Sequence, residues 1–120
     1  MRLLDAVRAG LRAARVPSSV AAKVIAEVED ALARYSLSSD RELFSLPEWN
    51  LWLVIVKSIL SPITRLLRQE GFCHANSMLI SSIMVLDEGI AALVREWVRA
   101  RCETGNDPCC RNPPCCNIAL

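Results

Sequence analysis

Residues 47–71, "PEWNLWLVIVKSILSPITRLLRQEG", constrain the fold more than any other part of the chain. Pro47 stands where a helix tolerates proline, at its first position, and Gly71 stands where helices stop. In the first half Trp49, Trp52, Val54, Ile55 and Val56 leave almost no polar face. A helix that is apolar all round cannot lie on a surface, so the pattern predicts one held in the middle of a bundle. Pro62 lacks an N–H and its ring crowds the preceding turn, which predicts a kink or split near Ser61.

The rest of the chain supplies helices to surround it. Leu4, Val7 and Leu11 recur at three and four residues with Arg8, Arg12 and Arg15 opposite, giving an amphipathic helix that Pro17 ends. A second begins at Ser18 or Ser19 as N-cap and carries Val20, Val24, Val28, Ala31 and Tyr35 along one stripe. Lys23 with Glu27 and Asp30 with Arg34 form pairs one turn apart on its wet side. "SLSSDRELFSLP" reads as a serine-rich connection with one short helical turn around Leu43 and Phe44. The last helical stretch is long and carries Gly89 as its point of interruption. Its later part turns Ile90, Leu93, Val94 and Trp97 inward and Arg95, Arg99 and Arg101 outward.

The expected fold is therefore all-α, a compact bundle of four to six helices around a buried central helix, without a sheet. Trp49, Trp52, Ile55, Leu66, Ile83, Leu86, Leu93 and Trp97 are expected to be largely buried. With 120 residues, 52% of them apolar, the chain can fill one core. The expected division is a helical bundle domain over 1–102 and an irregular cysteine- and proline-rich tail over 103–120, where Gly, Asn, Pro and Cys take over.

Function classes narrow from the same reading. Fourteen basic residues balance thirteen acidic ones, so nothing in the charge points to nucleic acid. The opening "MRLLDAVRAGLRAAR" lacks the apolar stretch of a secretory signal, which predicts a reducing, cytoplasmic setting. The longest uncharged run, Gly71 to Leu86, is short of the ~20 residues of a bilayer span and reads as a core helix. His74 is the only histidine, and its neighbour Cys73 would point about 100° away from it on a helix. Glu27, Glu29 and Asp30 fit a solvated face. No catalytic set and no cofactor are expected.

The tail "DPCCRNPPCCNIAL" raises three chemistries. Disulfides are disfavoured in a reducing setting. Zinc could draw on Cys102, Cys109, Cys110, Cys115 and Cys116, yet no C-x-x-C half-site is present. Reversible S-acylation of Cys109, Cys110, Cys115 and Cys116 is the leading reading. One acyl chain attaches a protein only marginally, whereas two, assisted by Arg99, Arg101 and Arg111, would hold it at a cytosolic membrane face. Prenylation is excluded, because Asn117 stands where a C-a-a-X box needs cysteine. A plain tail with free thiols is the remaining alternative.

Read together, "RELFSLPEWNLWLVIVKSILSPITRLLRQEG" and "ALVREWVRARCETGN" resemble the paired homology segments of the Bcl-2 family. Leu43 and Phe44 lead into Trp49 at the start of the central helix, and Trp97 follows at a comparable distance. The likeness covers roughly residues 20–106, and the short length is similar to that of viral members. It departs from the family at Leu51 and Trp52, which replace the motif's glycine and arginine and remove an arginine clamp. The closing Gly-Gly-Trp is reduced to Gly105, and the family's hydrophobic C-terminal anchor is missing. The resemblance implies a non-enzymatic module that regulates apoptosis or innate signalling by taking an amphipathic helix of a partner into a groove. Beside the second helix, Val20, Val24, Val28 and Leu32 are the expected groove lining, with self-association as a rival use of the strip. A membrane-tethered helical adaptor with an acylated tail and a small zinc-stabilised fold are the alternatives.

Overall fold

Several helices of this chain end where backbone groups that would otherwise be left unpaired find partners. The computed structural model describes residues 2–104. Six helices run in order: α1 (Arg2–Ala13), α2 (Ser18–Arg34), α3 (Asp40–Phe44), α4 (Glu48–Gln69), α5 (Ala75–Met84) and α6 (Glu88–Thr104). Among the described residues there is no strand, and the chain is an all-α bundle.

Three helices close by the same device. After α1, Arg15 N–H donates to the Arg12 carbonyl and Val16 N–H to the Leu11 carbonyl, both at 3.0 Å. After α2, Ser36 bonds Ala33 and Leu37 bonds Leu32; after α4, Gly71 bonds Arg68 and Phe72 bonds Leu67. In this closure the residue past the cap takes a left-handed conformation. Gly71 does so freely at φ 87°, whereas Arg15 and Ser36 are held at φ 57° and 55°. A side chain there costs about 1–2 kcal/mol, partly offset by the greater unfolded freedom of glycine. Ser36→Gly is therefore expected to stabilise the chain by about 0.5–1 kcal/mol, seen as a raised urea midpoint at unchanged slope.

The short α3 is held by a cap and in turn caps another helix. Ser39 Oγ accepts the Glu42 N–H at 3.2 Å, and the Glu42 carboxylate accepts the Ser38 N–H at 3.0 Å and the Ser38 hydroxyl at 2.9 Å. The adjacent Asp40 carboxylate accepts the Arg2 and Leu3 N–H groups, so the first turn of α1 is satisfied from across the fold. The two bonds from Ser38 hold the Glu42 pKa below the ordinary carboxylate value. The stabilisation this provides is full above that ordinary value and is lost as pH falls through the lowered one. Glu42→Gln is expected to lessen the fall in urea midpoint between neutral and acid pH; an identical acid limb in the variant would contradict this.

α4 is the expected central helix, and it continues through Pro62, with the change of helical geometry falling at Ser61. Leu53–Leu60 adopts π-helical geometry and Ser61–Gln69 returns to α. The wider π turn gives the proline ring room against the preceding carbonyls. Thr64, itself buried, donates its hydroxyl to the Leu60 carbonyl at 2.8 Å and so takes up one acceptor near the transition. By length and composition this 22-residue helix could cross a membrane, although no such segment was expected from the sequence. Here over half of its apolar window is buried in the bundle.

α2 packs along both halves of α4, α6 lies against α4 and α5, and α1 has its most extensive contact with α5. Ile55, Ile59, Leu60, Ile63 and Leu67 of α4 are fully buried. α1 and α5 approach closely at Gly10, where an added Cβ would lie 2.9 Å from the Leu79 Cα. Between α5 and α6 the chain breaks before Gly89, not at it. Asp87 caps α6 by accepting the Gly89 and Ile90 N–H groups at 2.9 and 3.2 Å.

Of the eight residues expected to be largely buried, Ile55 and Ile83 are fully so. Trp52, Leu66, Leu86, Leu93 and Trp97 are half-buried. Trp49 is 67% exposed, a correction to the sequence reading. It lies in the first turn of α4, at the edge of the bundle, and stacks on Trp52 with ring centroids 5.4 Å apart instead of entering the core.

Candidate functional site

The residues expected to line a groove do not line one. Val24 and Val28 are fully buried, and Val20 and Leu32 are 6% and 5% exposed. They form the inner stripe of α2 that seals the bundle. An apolar stripe in sequence says only that a face needs covering, and here the protein's own α4 covers it.

An open groove of about 450 Å³ lies elsewhere, between the α3–α4 corner and α6. One wall is the end of α3 and the start of α4: Phe44, Leu46, Glu48 and Leu51. The other is the first half of α6, with Asp87, Gly89, Ala92, Leu93 and Glu96. Pro47, extended at φ −57° and ψ 151°, stands between α3 and α4, and Phe44 and Leu46 pack against the core while half open to the groove. On the opposite wall Gly89 and Ala92 are small, so the α6 backbone is approachable, and Leu93 stands one residue beyond them as a half-buried anchor point.

The rim is acidic. Glu48, Asp87 and Glu96 border the groove, and no Lys or Arg is among the residues lining it. Asp87 is partly committed to capping α6, and Glu96 pairs with Arg99 at 2.9 Å on the exposed surface. An exposed pair of that kind is worth ~0–1 kcal/mol and can be exchanged for a partner's cation at little cost. Glu48 forms no ion pair among the described residues. The chemistry available is a floor for apolar side chains within reach of three carboxylates.

Sequence reasoning missed this groove because its walls come from segments about forty residues apart. The available signal was the pairing of Leu46 and Leu51 with Glu48 between them, and of Leu93 with Glu96, in segments read as a connection, a central helix and a core-facing helix.

The other sequence candidates fall as follows. Cys73, in the α4–α5 turn, is disulfide-bonded and so is not available as a nucleophile. Disulfides persist in oxidising compartments, so this bond and the reducing setting expected from the N-terminus pull in opposite directions. The His74 ring is exposed, with Nε2 3.3 Å from the Ala14 carbonyl. Among the described residues no three His, Cys, Asp or Glu side chains cluster as a metal site. The candidate acylation sites Cys109, Cys110, Cys115 and Cys116 lie outside the described residues, as does Gly105.

The chain matches no family model, and comparisons with curated proteins and with solved structures found no similar protein.

Proposed function

We propose that this chain is a non-enzymatic interaction module whose groove between the α3–α4 corner and α6 seats a cationic amphipathic helix of a partner protein. The observation that carries this reading is the combination at one place of an apolar floor, an acidic rim and a volume of about 450 Å³. A helix presenting apolar anchors at i, i+3 or i+4, and i+7, flanked by Lys or Arg, matches both features. The two segments that resemble Bcl-2 homology motifs support it, because they supply the two walls: Phe44 and Leu51 from one, Leu93 and Glu96 from the other. The same resemblance suggests the biology, control of cell death or innate signalling through sequestration of the partner.

The test is fluorescence anisotropy with a labelled amphipathic peptide bearing leucines on one face and lysines beside it. Leu93→Glu places a charge on the groove floor and is expected to weaken binding by about 2 kcal/mol or more, roughly thirtyfold, with helicity unchanged by circular dichroism. Equal affinity for the parent and the variant would remove the groove from the proposal.

A further inference from the structure

A second groove, of about 320 Å³, runs between α1 and α2 on residues that play no part in the first. Its floor is made by Leu11 of α1 and by Ala21, Ala22 and Ile25 of α2, and Arg8 and Arg12 stand along its α1 side. Ala21 and Ile25 lie one turn apart on α2, flanking the buried Val20–Val24–Val28 stripe and partly packed against the core, and Ala22 beside them is exposed. Two alanines side by side leave a floor low enough for another backbone to approach. Arg8 and Arg12 are separated by one helical turn on the same face. Arg8 pairs with Asp5 at 3.7 Å on the exposed surface, and Arg12 forms no ion pair among the described residues. No carboxylate lines the groove, the reverse of the α3–α6 site.

We infer that this groove is a second docking site, which takes an acidic amphipathic helix whose carboxylates are spaced one turn apart. Charge complementarity selects the occupant. Two guanidiniums one turn apart meet two carboxylates at i and i+4 on a neighbouring helix, each able to form a forked pair. A small apolar face between those carboxylates rests on Ala21 and Ala22. The concavity favours a helix over an anionic bilayer, since a flat lipid surface meets projecting residues and does not reach a floor between two helices. The chain then joins two partners of opposite charge, one on each groove.

The experiment uses the full chain and a labelled 20-residue helical peptide with Glu at i, i+4 pairs beside an Ala/Leu face. The expected result is binding that weakens with salt, falls at least tenfold in Arg8→Glu/Arg12→Glu, and is unaffected by Leu93→Glu, which tests the other groove alone. Ala22→Trp, which fills the floor without altering charge, is expected to weaken binding as much while helicity is kept. Unchanged affinity in both groove variants overturns the inference. So does arginine-dependent binding to phosphatidylglycerol-containing vesicles without peptide binding, or a concentration-dependent dimer in sedimentation that the arginine reversals abolish.

Discussion

Ile59→Ala is expected to remove about 2–5 kcal/mol of stability, enough to consume a large part of the ~5–15 kcal/mol available to a small domain. Ile59 is fully buried in the π-helical stretch of α4, with buried Ile55 and Ile63 on the turns either side and α2 and α6 packed against the stretch. Truncation there loses the transfer of the missing carbons and also leaves a void that a helix enclosed by its neighbours cannot close by moving. The contrast that sharpens the test is Trp49→Ala. Trp49 is a larger side chain in the same helix, but it is 67% exposed and its main contact is the stack on Trp52. Its removal is expected to cost under ~1.5 kcal/mol. Urea unfolding of the two variants settles the ranking: a greater loss from Trp49→Ala would place Trp49 in the core and refute the arrangement of α4.

Gly10→Val is expected to destabilise by about 1–3 kcal/mol, and even Gly10→Ala is expected to destabilise. Intrinsic helix propensity alone would make alanine better than glycine in mid-helix by ~1 kcal/mol. Against that gain, the new Cβ would stand 2.9 Å from the Leu79 Cα, 3.1 Å from the Ser82 Oγ and 3.2 Å from the Met78 carbonyl oxygen. Ser82 can rotate away, whereas the Leu79 and Met78 atoms are backbone, so α5 as a whole must shift from α1 and loosen the apolar contacts around Leu3, Val7 and Leu11. Thermal unfolding of Gly10→Ala with Ser82→Ala, which removes the hydroxyl without adding a helical glycine, distinguishes the causes when read against Ser82→Ala alone. Persistent destabilisation in the double variant identifies the backbone approach, and full recovery assigns the clash to the serine hydroxyl.

Much of the bundle was legible in the residues. The three-and-four spacing of Leu4, Val7 and Leu11, and of Val20, Val24 and Val28, is a local property of the helix, and so are the stops at Pro17 and Gly71. The near-continuous apolar character of residues 49–60 required that α4 be enclosed, since no other placement removes all its faces from water. These features are written in short stretches, and each is enforced by backbone geometry or by the cost of exposing apolar surface.

What the tertiary structure decided is which apolar face stayed open. Val20, Val24, Val28 and Leu32 look in sequence like a groove lining, and α4 fills the space before them; Trp49 looks like a core anchor, and the bundle ends before reaching it. Pro62 reads in sequence as a kink or split near Ser61, and in the fold it stands at the start of the α-helical Ser61–Gln69 stretch, directly after eight residues of π geometry. The acidic groove needs Leu46 and Leu93 on facing walls, and the basic one needs Arg12 beside Ala22. Periodicity determines that a face is apolar, but whether that face meets a neighbour or solvent depends on how distant helices cross, and crossing is fixed by side-chain shapes such as the missing Cβ of Gly10.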